Sequence, residues 1–179
     1  MKKLLSLVIA TVLMSLCFIG TTYAWLVAKS EPVITTFTAG NINIELTGDE
    51  VSIQKMVPGA TLAYSSQVVV KANSEDCWLF IKEEKSSSFD TYLSYNLIDG
   101  WTQLDGQDGI YYRIVDASET DQIFGILAND EINVNRDATK EDYDALGTNY
   151  PTLTFTAYAV QKLGFDTAAS AWDEARELG

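Results

Sequence analysis

Strict alternation between apolar and polar residues constrains the fold of this chain more than any other feature. In residues 41–46 the apolar Ile42, Ile44 and Leu46 each follow a polar residue. Successive side chains of a strand point to opposite faces, so a period of two predicts strands with one buried face. Residues 152–161 repeat this period, whereas both alternating sets are largely apolar in residues 77–82. That last segment therefore predicts a strand covered in part on both faces.

Short strand-like segments recur along the rest of the chain between turn-forming residues. Pro58 and Gly59 predict a tight turn, because proline presets the first turn dihedral and glycine tolerates the second. Residues 105–109, rich in Asp and Gly, predict a hairpin loop before a strand at 110–115. Together these segments predict an all-β fold, an antiparallel β-sandwich of jelly-roll type. The further predicted strands cover residues 62–72, 92–98, 101–104, 123–127 and 131–134.

Two helices are predicted in the second half of the chain. Thr139 can cap a short helix at residues 139–146, which a glycine then ends. Asp166 and Thr167 can cap a closing helix at residues 168–178. One face of this C-terminal helix is apolar, which predicts that it packs against the body of the fold. The face carries Ala168, Ala171, Trp172, Ala175 and Leu178.

The N-terminus has the order of a secretory signal. Lys2 and Lys3 form a basic tip, and no charged residue follows them as far as Ala28. The apolar run gives way to polar and small residues, which places signal peptidase cleavage between Ala24 and Trp25. An uncleaved anchor is the alternative, because 25 uncharged residues are also long enough to cross a hydrocarbon core of roughly 30 Å.

This interpretation divides the chain into three parts. Residues 1–24 are the predicted signal peptide, residues 25–36 an extended N-terminal arm, and residues 37–179 a single domain. The arm has no helical period, and its Pro32 is followed by a β-branched run. Its apolar side chains are Trp25, Leu26, Val27, Val33 and Ile34.

The chain is strongly acidic, with 12 basic and 25 acidic side chains and a formal net charge of −13. Loss of Lys2 and Lys3 on cleavage takes this charge to −15. Such a surface repels nucleic acid and anionic lipid and favours solubility outside the cell. We therefore expect no nucleic-acid partner, and contact with a membrane only before processing.

The residue types that most enzymes need are scarce. The chain has no histidine, which removes the usual general base at neutral pH and the commonest zinc ligand. Cys77 would be the sole thiol after cleavage, and it alternates with apolar residues, so we expect it to be buried and structural. Asp99, Asp105 and Asp108 could supply oxygen ligands to calcium, but their spacing is not that of an EF-hand. We expect a protein that is not an enzyme and needs no cofactor.

Three short motifs follow one another between residues 20 and 73: the end of the leader, the entry to the first strand of the domain, and a proline–glycine turn before a further strand. They comprise residues 20–24 (Gly-Thr-Thr-Tyr-Ala), Phe37 with Gly40, Pro58 with Gly59, and Asn73 at the end of that strand. In order and spacing this set resembles the TasA and camelysin family of exported proteins, over about a third of the chain.

The resemblance implies a jelly-roll subunit that a SipW-type signal peptidase processes and that joins extracellular surface or biofilm-matrix fibres. In such fibres the N-terminal arm of one subunit is laid into a sheet of the next, so the partners would be further copies or related exported subunits. Pro32 would interrupt the donor strand, because proline has no N–H to donate to a β-ladder. Before assembly we expect the arm to fold back as an edge strand of its own sandwich or to stay disordered.

Two other functions stay open at this point. Camelysin and its relatives have carried the name of metallopeptidases, although without histidine only carboxylates, carbonyls and one thiol could hold a metal here. A carbohydrate-binding or adhesive sandwich is suggested by Tyr95, Trp101, Tyr111 and Tyr112. Aromatic residues that alternate along strands more often fill cores.

Overall fold

A computed structural model describes residues 27–30, 42–48, 56–147 and 149–178, with the backbone alone at residues 27–30, 140 and 178. Within these ranges the fold is mainly β, and the strand pairs are antiparallel. The strands are β1 (Val27–Ser30), β2 (Ile44–Gly48), β3 (Thr61–Ala63), β4 (Ser66–Val70), β5 (Cys77–Lys85), β6 (Leu93–Ser94), β7 (Thr102–Gln103), β8 (Ile110–Val115), β9 (Gln122–Gly125), β10 (Glu131–Val134) and β11 (Leu153–Gln161). The helices are α1 (Phe89–Tyr92), α2 (Lys140–Leu146) and α3 (Ala168–Leu178).

The described strands form one large sheet and two small ones. The large sheet has the order β1-β11-β5-β8-β7, and the small sheets have the orders β3-β10-β6 and β2-β4-β9. The longest pairing joins β11 to β5, from Leu153 opposite Lys85 to Gln161 opposite Cys77. These two long strands form the middle of the large sheet, on which the rest of the fold is built.

One face of the large sheet shares a hydrophobic core with both small sheets. We call this the inner core. It contains side chains from β5 and β11 together with side chains from β2, β4 and β10, and nearly all of them are fully buried. Its central members are Ile44, Val68, Val70, Cys77, Leu79, Ile81, Ile132, Val134, Ala157 and Ala159.

The other face of the large sheet is covered by helix α3, as the apolar face of the predicted C-terminal helix requires. Thr167 caps this helix, because its Oγ1 accepts from the Ser170 N–H at 3.2 Å. The outer core under α3 also contains Trp78 and Phe80, so the prediction that β5 is covered on both faces is confirmed. Its other main members are Tyr158, Val160, Ala168, Ala171, Trp172 and Ala175.

Helix α2 begins where its capping residue predicts. The Thr139 Oγ1 accepts from the Asp142 N–H at 3.3 Å, and the Asp142 Oδ2 accepts from the Thr139 N–H at 2.7 Å. This reciprocal pair satisfies two N–H groups that a helix start leaves without partners. Gly147 follows the last helical residue with a positive φ of 58°.

The predicted single strand at residues 62–72 is wrong in one respect, since it forms two strands in different sheets. β3 pairs with β10, whereas β4 pairs with β2 and β9. Between them the Tyr64 N–H donates to the Asp130 carbonyl at 2.8 Å, and the Ser66 carbonyl accepts from the Ile126 N–H at 2.9 Å. The chain changes partners within three residues, which a continuous apolar pattern does not reveal.

The predicted strand at residues 92–98 is also largely wrong. Helix α1 ends at Tyr92, and only Leu93–Ser94 continue as a strand, with a further isolated bridge at Leu97. Phe89 and Tyr92, three residues apart, are 1% and 9% exposed, which one helical turn allows because it brings them to the same side. The Tyr92 hydroxyl donates to the Asp142 carbonyl at 3.0 Å and ties α1 to α2.

Candidate functional site

The candidate functional site is the edge of the large sheet where β1 lies against β11. Among the described strands β1 pairs with β11 alone, with Ala28 opposite Ala159 and Ser30 opposite Ala157. Residues 27–30 belong to the predicted arm, so this part of the arm is an edge strand on its own chain. Val27 is its first residue. The other predicted arm residues, Trp25, Leu26, Val33 and Ile34, lie outside the described residues.

The hydrogen-bond alternation of β11 decides which of its residues face β1. The Lys162 N–H donates to the Asp76 carbonyl at 2.8 Å, which is a bond toward β5. The backbone N–H and C=O groups of successive residues in an antiparallel strand point alternately to its two neighbouring strands. Residues of β11 at an odd sequence distance from Lys162 therefore point away from β5 and toward β1. The N–H and C=O groups of Ala157 and Ala159 therefore point toward β1.

Both faces of β11 are buried where β1 pairs with it. Ala157 and Ala159 are 0% exposed in the inner core, and Val160 is 0% exposed under α3. Tyr158 meets Trp172 of α3 edge-on, with ring centroids 5.2 Å apart and an interplanar angle of 89°. A buried backbone group without a hydrogen-bond partner costs about 1–3 kcal/mol. This edge is therefore stable only when a strand occupies it.

The residues that carry the family resemblance are only partly described. Pro58 and Gly59 lie in a turn in which the Ala60 N–H donates to the Val57 carbonyl at 2.9 Å. Gly59 has φ +75°, a conformation that side chains disfavour, which explains glycine at this position. Phe37 and Gly40 lie outside the described residues, as do the cleavage residues Ala24 and Trp25.

Cys77 is buried, as its place in an apolar strand predicts. It is 0% exposed, and burial, with a smaller effect of the neighbouring Asp76 carboxylate, raises the pKa of the thiol to about 12. The nucleophilic form of cysteine is the thiolate, which is scarce at neutral pH when the pKa is this high. Cys77 therefore fills the inner core and supplies no reactive group.

The four aromatic residues that suggested sugar binding all pack against the fold. Tyr95 lies 5.8 Å from Phe89 edge-on, and Tyr112 lies 5.7 Å from Trp78 between ring centroids. The Trp101 Nε1 donates to a backbone carbonyl of β9 at 2.8 Å. These three, like Tyr111, are partly buried. They close the margins of the two cores and leave no flat exposed platform among them.

Arg113 is a structural residue that the sequence did not single out. It lies on β8 with its guanidinium carbon 5.3 Å from the Trp101 ring centroid and 4.1 Å from that of Phe124. Burial lowers the pKa of this guanidinium from its ordinary value. The only sequence signal is a single basic residue within the otherwise apolar and aromatic β8. Arg113 fills the space between β8 of the large sheet and β9 of a small sheet.

Neither a metal-binding cluster nor a membrane-spanning helix is found in the described part of the chain. No three side chains of the His, Cys, Asp or Glu types come close enough there to hold a metal ion. Asp105 and Asp108 lie in turns beside Gly106 and Gly109, as hairpin residues do. None of the helices that the structure describes has the length and hydropathy to cross a bilayer.

No family model, curated protein or solved structure matches the chain. The class of protein is therefore defined by its fold and its candidate site. It is a mainly β, antiparallel protein with a covering C-terminal helix, whose first described strand lies at the edge of the large sheet.

Proposed function

We propose that this chain is a secreted, non-catalytic subunit of an extracellular surface or biofilm-matrix fibre, which polymerises by passing its N-terminal strand to a neighbouring copy or a related exported subunit. In this proposal a SipW-type signal peptidase removes residues 1–24, and the remaining arm is free to exchange. The large sheet and the small sheets form the two layers of a jelly-roll sandwich. The resemblance over residues 20–73 supports this class of protein.

The position of β1 is the observation that carries the proposal. β1 is the first strand in the described chain and lies at a sheet edge, where it pairs with β11 alone among the described strands. The backbone groups of Ala157 and Ala159 require a strand at this place but do not require that it come from the same chain. The same four residues of a second copy offer the same groups in the same register.

Exchange between copies is energetically close to neutral because it replaces a pairing with an identical one. Domain swapping of this kind is a low-cost route to assembly. A swap in which each copy donates to the next and receives from the previous one produces a filament when the rotation between copies does not close a ring. The extent of assembly then depends on protein concentration relative to the effective concentration of the chain's own strand.

The segment between β1 and β2 gives the strand enough reach. The proposed arm ends at residue 36, so the six residues 31–36 join β1 to the domain and would span up to about 20 Å when extended. That length exceeds the spacing of roughly 10 Å between packed sheets. A donated strand can therefore lie on a neighbour while the donor domain stays folded.

A reversible crosslink between β1 and β11 tests the proposal. In the chain that begins at Trp25, Cys77→Ala removes the native thiol, and Ala28→Cys with Ala159→Cys places cysteines at paired positions. The oxidised chain keeps its own β1 and is expected to remain monomeric by electron microscopy and gel filtration. Reduction of the same sample releases β1 and is expected to start fibre formation.

A matched crosslink that leaves β1 free provides the control. Glu84→Cys with Thr154→Cys joins β5 to β11 at an exposed register pair, in the same Cys77→Ala chain. This chain is expected to form fibres in both redox states. Fibres from the oxidised Ala28–Ala159 variant, or monomers from the native chain at every concentration and salt condition, would show that strand exchange is not its function.

A further inference from the structure

An open groove lies where β5, β8 and β11 meet the start of α3. Its volume is about 850 Å³, within the roughly 300–1,000 Å³ of typical ligand sites. The apolar part of its lining is formed by Trp78, Ile114, Leu163 and Phe165. Ile114 is 47% exposed and Leu163 82% exposed. Two large aliphatic side chains that line the same groove are thus exposed to solvent, which is typical of an interaction site.

The charged lining of the groove is mainly acidic. Glu75, Asp76 and Asp166 line it, and Lys162 is its one basic residue. The Lys162 Nζ already lies 4.0 Å from the Asp116 Oδ1, so its charge is offset by a further carboxylate. The local field therefore attracts positive charge and opposes anions. The Asp76 carboxylate also holds the loop above it, since Oδ1 accepts from the Ala117 N–H at 2.7 Å.

Trp78 adds a hydrogen-bond donor that has no acceptor. The residue is 7% exposed and lines the groove, and its Nε1 is buried without a hydrogen-bond partner. Buried polar groups of native proteins almost always have partners, so an unpaired indole N–H is an exception that requires a reason. Because this Nε1 is shielded from solvent, Trp78 contributes its ring to the groove wall.

We propose that this groove binds an extended peptide segment of a partner protein that carries apolar and basic side chains in alternation. Ile114 and Leu163 receive the apolar side chains, and the acidic rim receives the basic ones. The groove shares no residue with the paired β1–β11 edge. It adds a function beyond assembly, because it would select a partner by the chemistry of that partner's side chains.

Titration of the chain that begins at Trp25 with synthetic hexapeptides tests the proposal. The probe alternates leucine with lysine, and two control peptides alternate leucine with glutamate and serine with lysine. Isothermal calorimetry measures the dissociation constant, and the indole N–H signal of Trp78, assigned with Trp78→Phe, reports on the groove. We expect saturable binding of the leucine–lysine peptide alone, with a shift of the Trp78 signal.

Two matched pairs of variants connect binding to the groove. Leu163→Ser is expected to weaken binding at least about five-fold, because an apolar contact is lost. Ile123→Ser, a change at a 62% exposed position on β9, should leave binding unchanged. Glu75→Gln with Asp166→Asn should also weaken it, whereas Asp105→Asn with Asp108→Asn removes the same charge at the hairpin loop and should not.

The outcomes are distinct from those of the fibre experiment. A groove that binds its peptide in a chain that never forms fibres leaves this inference intact and rejects the proposed function. Absence of saturable binding would reject the inference. Equal binding of the serine–lysine peptide would reject it as well, because that result shows charge attraction without recognition of apolar side chains.

Discussion

The guanidinium carbon of Arg113 lies 4.1 Å from the centroid of the Phe124 ring. The same guanidinium stands 5.3 Å from the Trp101 ring, so a single cation contacts two aromatic rings. Phe124 belongs to β9 of a small sheet, whereas Arg113 belongs to β8 of the large sheet. Side-chain contacts, rather than backbone pairing, therefore join the two sheets at this margin.

We expect Arg113→Ala to lower the free energy of unfolding by about 1–3 kcal/mol, because both the cation–π contacts and the packing of the aliphatic stem are lost. Urea unfolding measures the change. Arg176→Ala is the control, since Arg176 pairs with Asp173 at 2.9 Å on an exposed helix surface. That loss should be below about 1 kcal/mol. Equal losses for the two variants would contradict the structural role of Arg113.

Removal of the Trp172 side chain tests how firmly α3 covers the large sheet. Trp172 is 5% exposed and lies 5.4 Å from Phe80 between ring centroids. Trp172→Ala is expected to destabilise the chain by about 3–5 kcal/mol, since it leaves a large cavity in the outer core. Guanidinium unfolding measures this loss. Leu163→Ala, at an 82% exposed position, should change stability by less than about 0.5 kcal/mol.

The two glycines of the hairpin loop should respond differently to alanine. Gly106 has φ +73° with nothing within 4 Å of an added Cβ, so Gly106→Ala should cost only the backbone strain of about 1–2 kcal/mol. Gly109 has φ +74°, and its Cβ would lie 2.7 Å from the Glu83 carbonyl oxygen. Gly109→Ala should cost roughly 1–3 kcal/mol more. Thermal unfolding of both variants gives the comparison, and equal melting temperatures would argue against the close approach of Gly109 to β5.

The Cys77 thiol should make stability depend on alkaline pH. Its pKa is raised from the ordinary 9.0 to about 12, so the unfolded thiol loses its proton first. The stabilisation is therefore complete below pH 9 and is lost as the pH rises toward 12, by about 1.4 kcal/mol per pH unit. The difference in unfolding free energy between the native chain and Cys77→Ala should shrink over this range. A constant difference would contradict the burial of the thiol, as would rapid reaction of the chain that begins at Trp25, whose only thiol is Cys77, with a thiol reagent at pH 8.

Local features of this fold could be predicted from the sequence because they depend on neighbouring residues. The period of two in β5 and β11 separates the side chains of the two cores, and it is visible without any partner strand. Thr139 and Thr167 accept from backbone N–H groups three residues ahead, which are contacts within one helical turn. β11 and the two helices lie within one residue of their predicted bounds, whereas β5 continues to Lys85, three residues past its predicted end.

The features of the fold that the sequence did not predict depend on contacts between segments that are distant in the chain. The break between β3 and β4 depends on Asp130 and Ile126, which accept from and donate to residues some sixty positions earlier. The pairing of Val27–Ser30 with β11 and the place of Arg113 between two rings depend in the same way on remote strands. The groove at Trp78 also gathers three separate stretches of chain.

The sequence by itself therefore determined the type of most elements, the two apolar faces of the central strands, and the acidic, histidine-free character of the surface. The tertiary structure alone decided which strands are neighbours, which edge β1 occupies, and which side chains meet in the groove. The physical reason is that alternation and capping are set by neighbours along the chain. Sheet order depends on which of several similar β-strands bury one another best, and that choice is made only when the whole core forms.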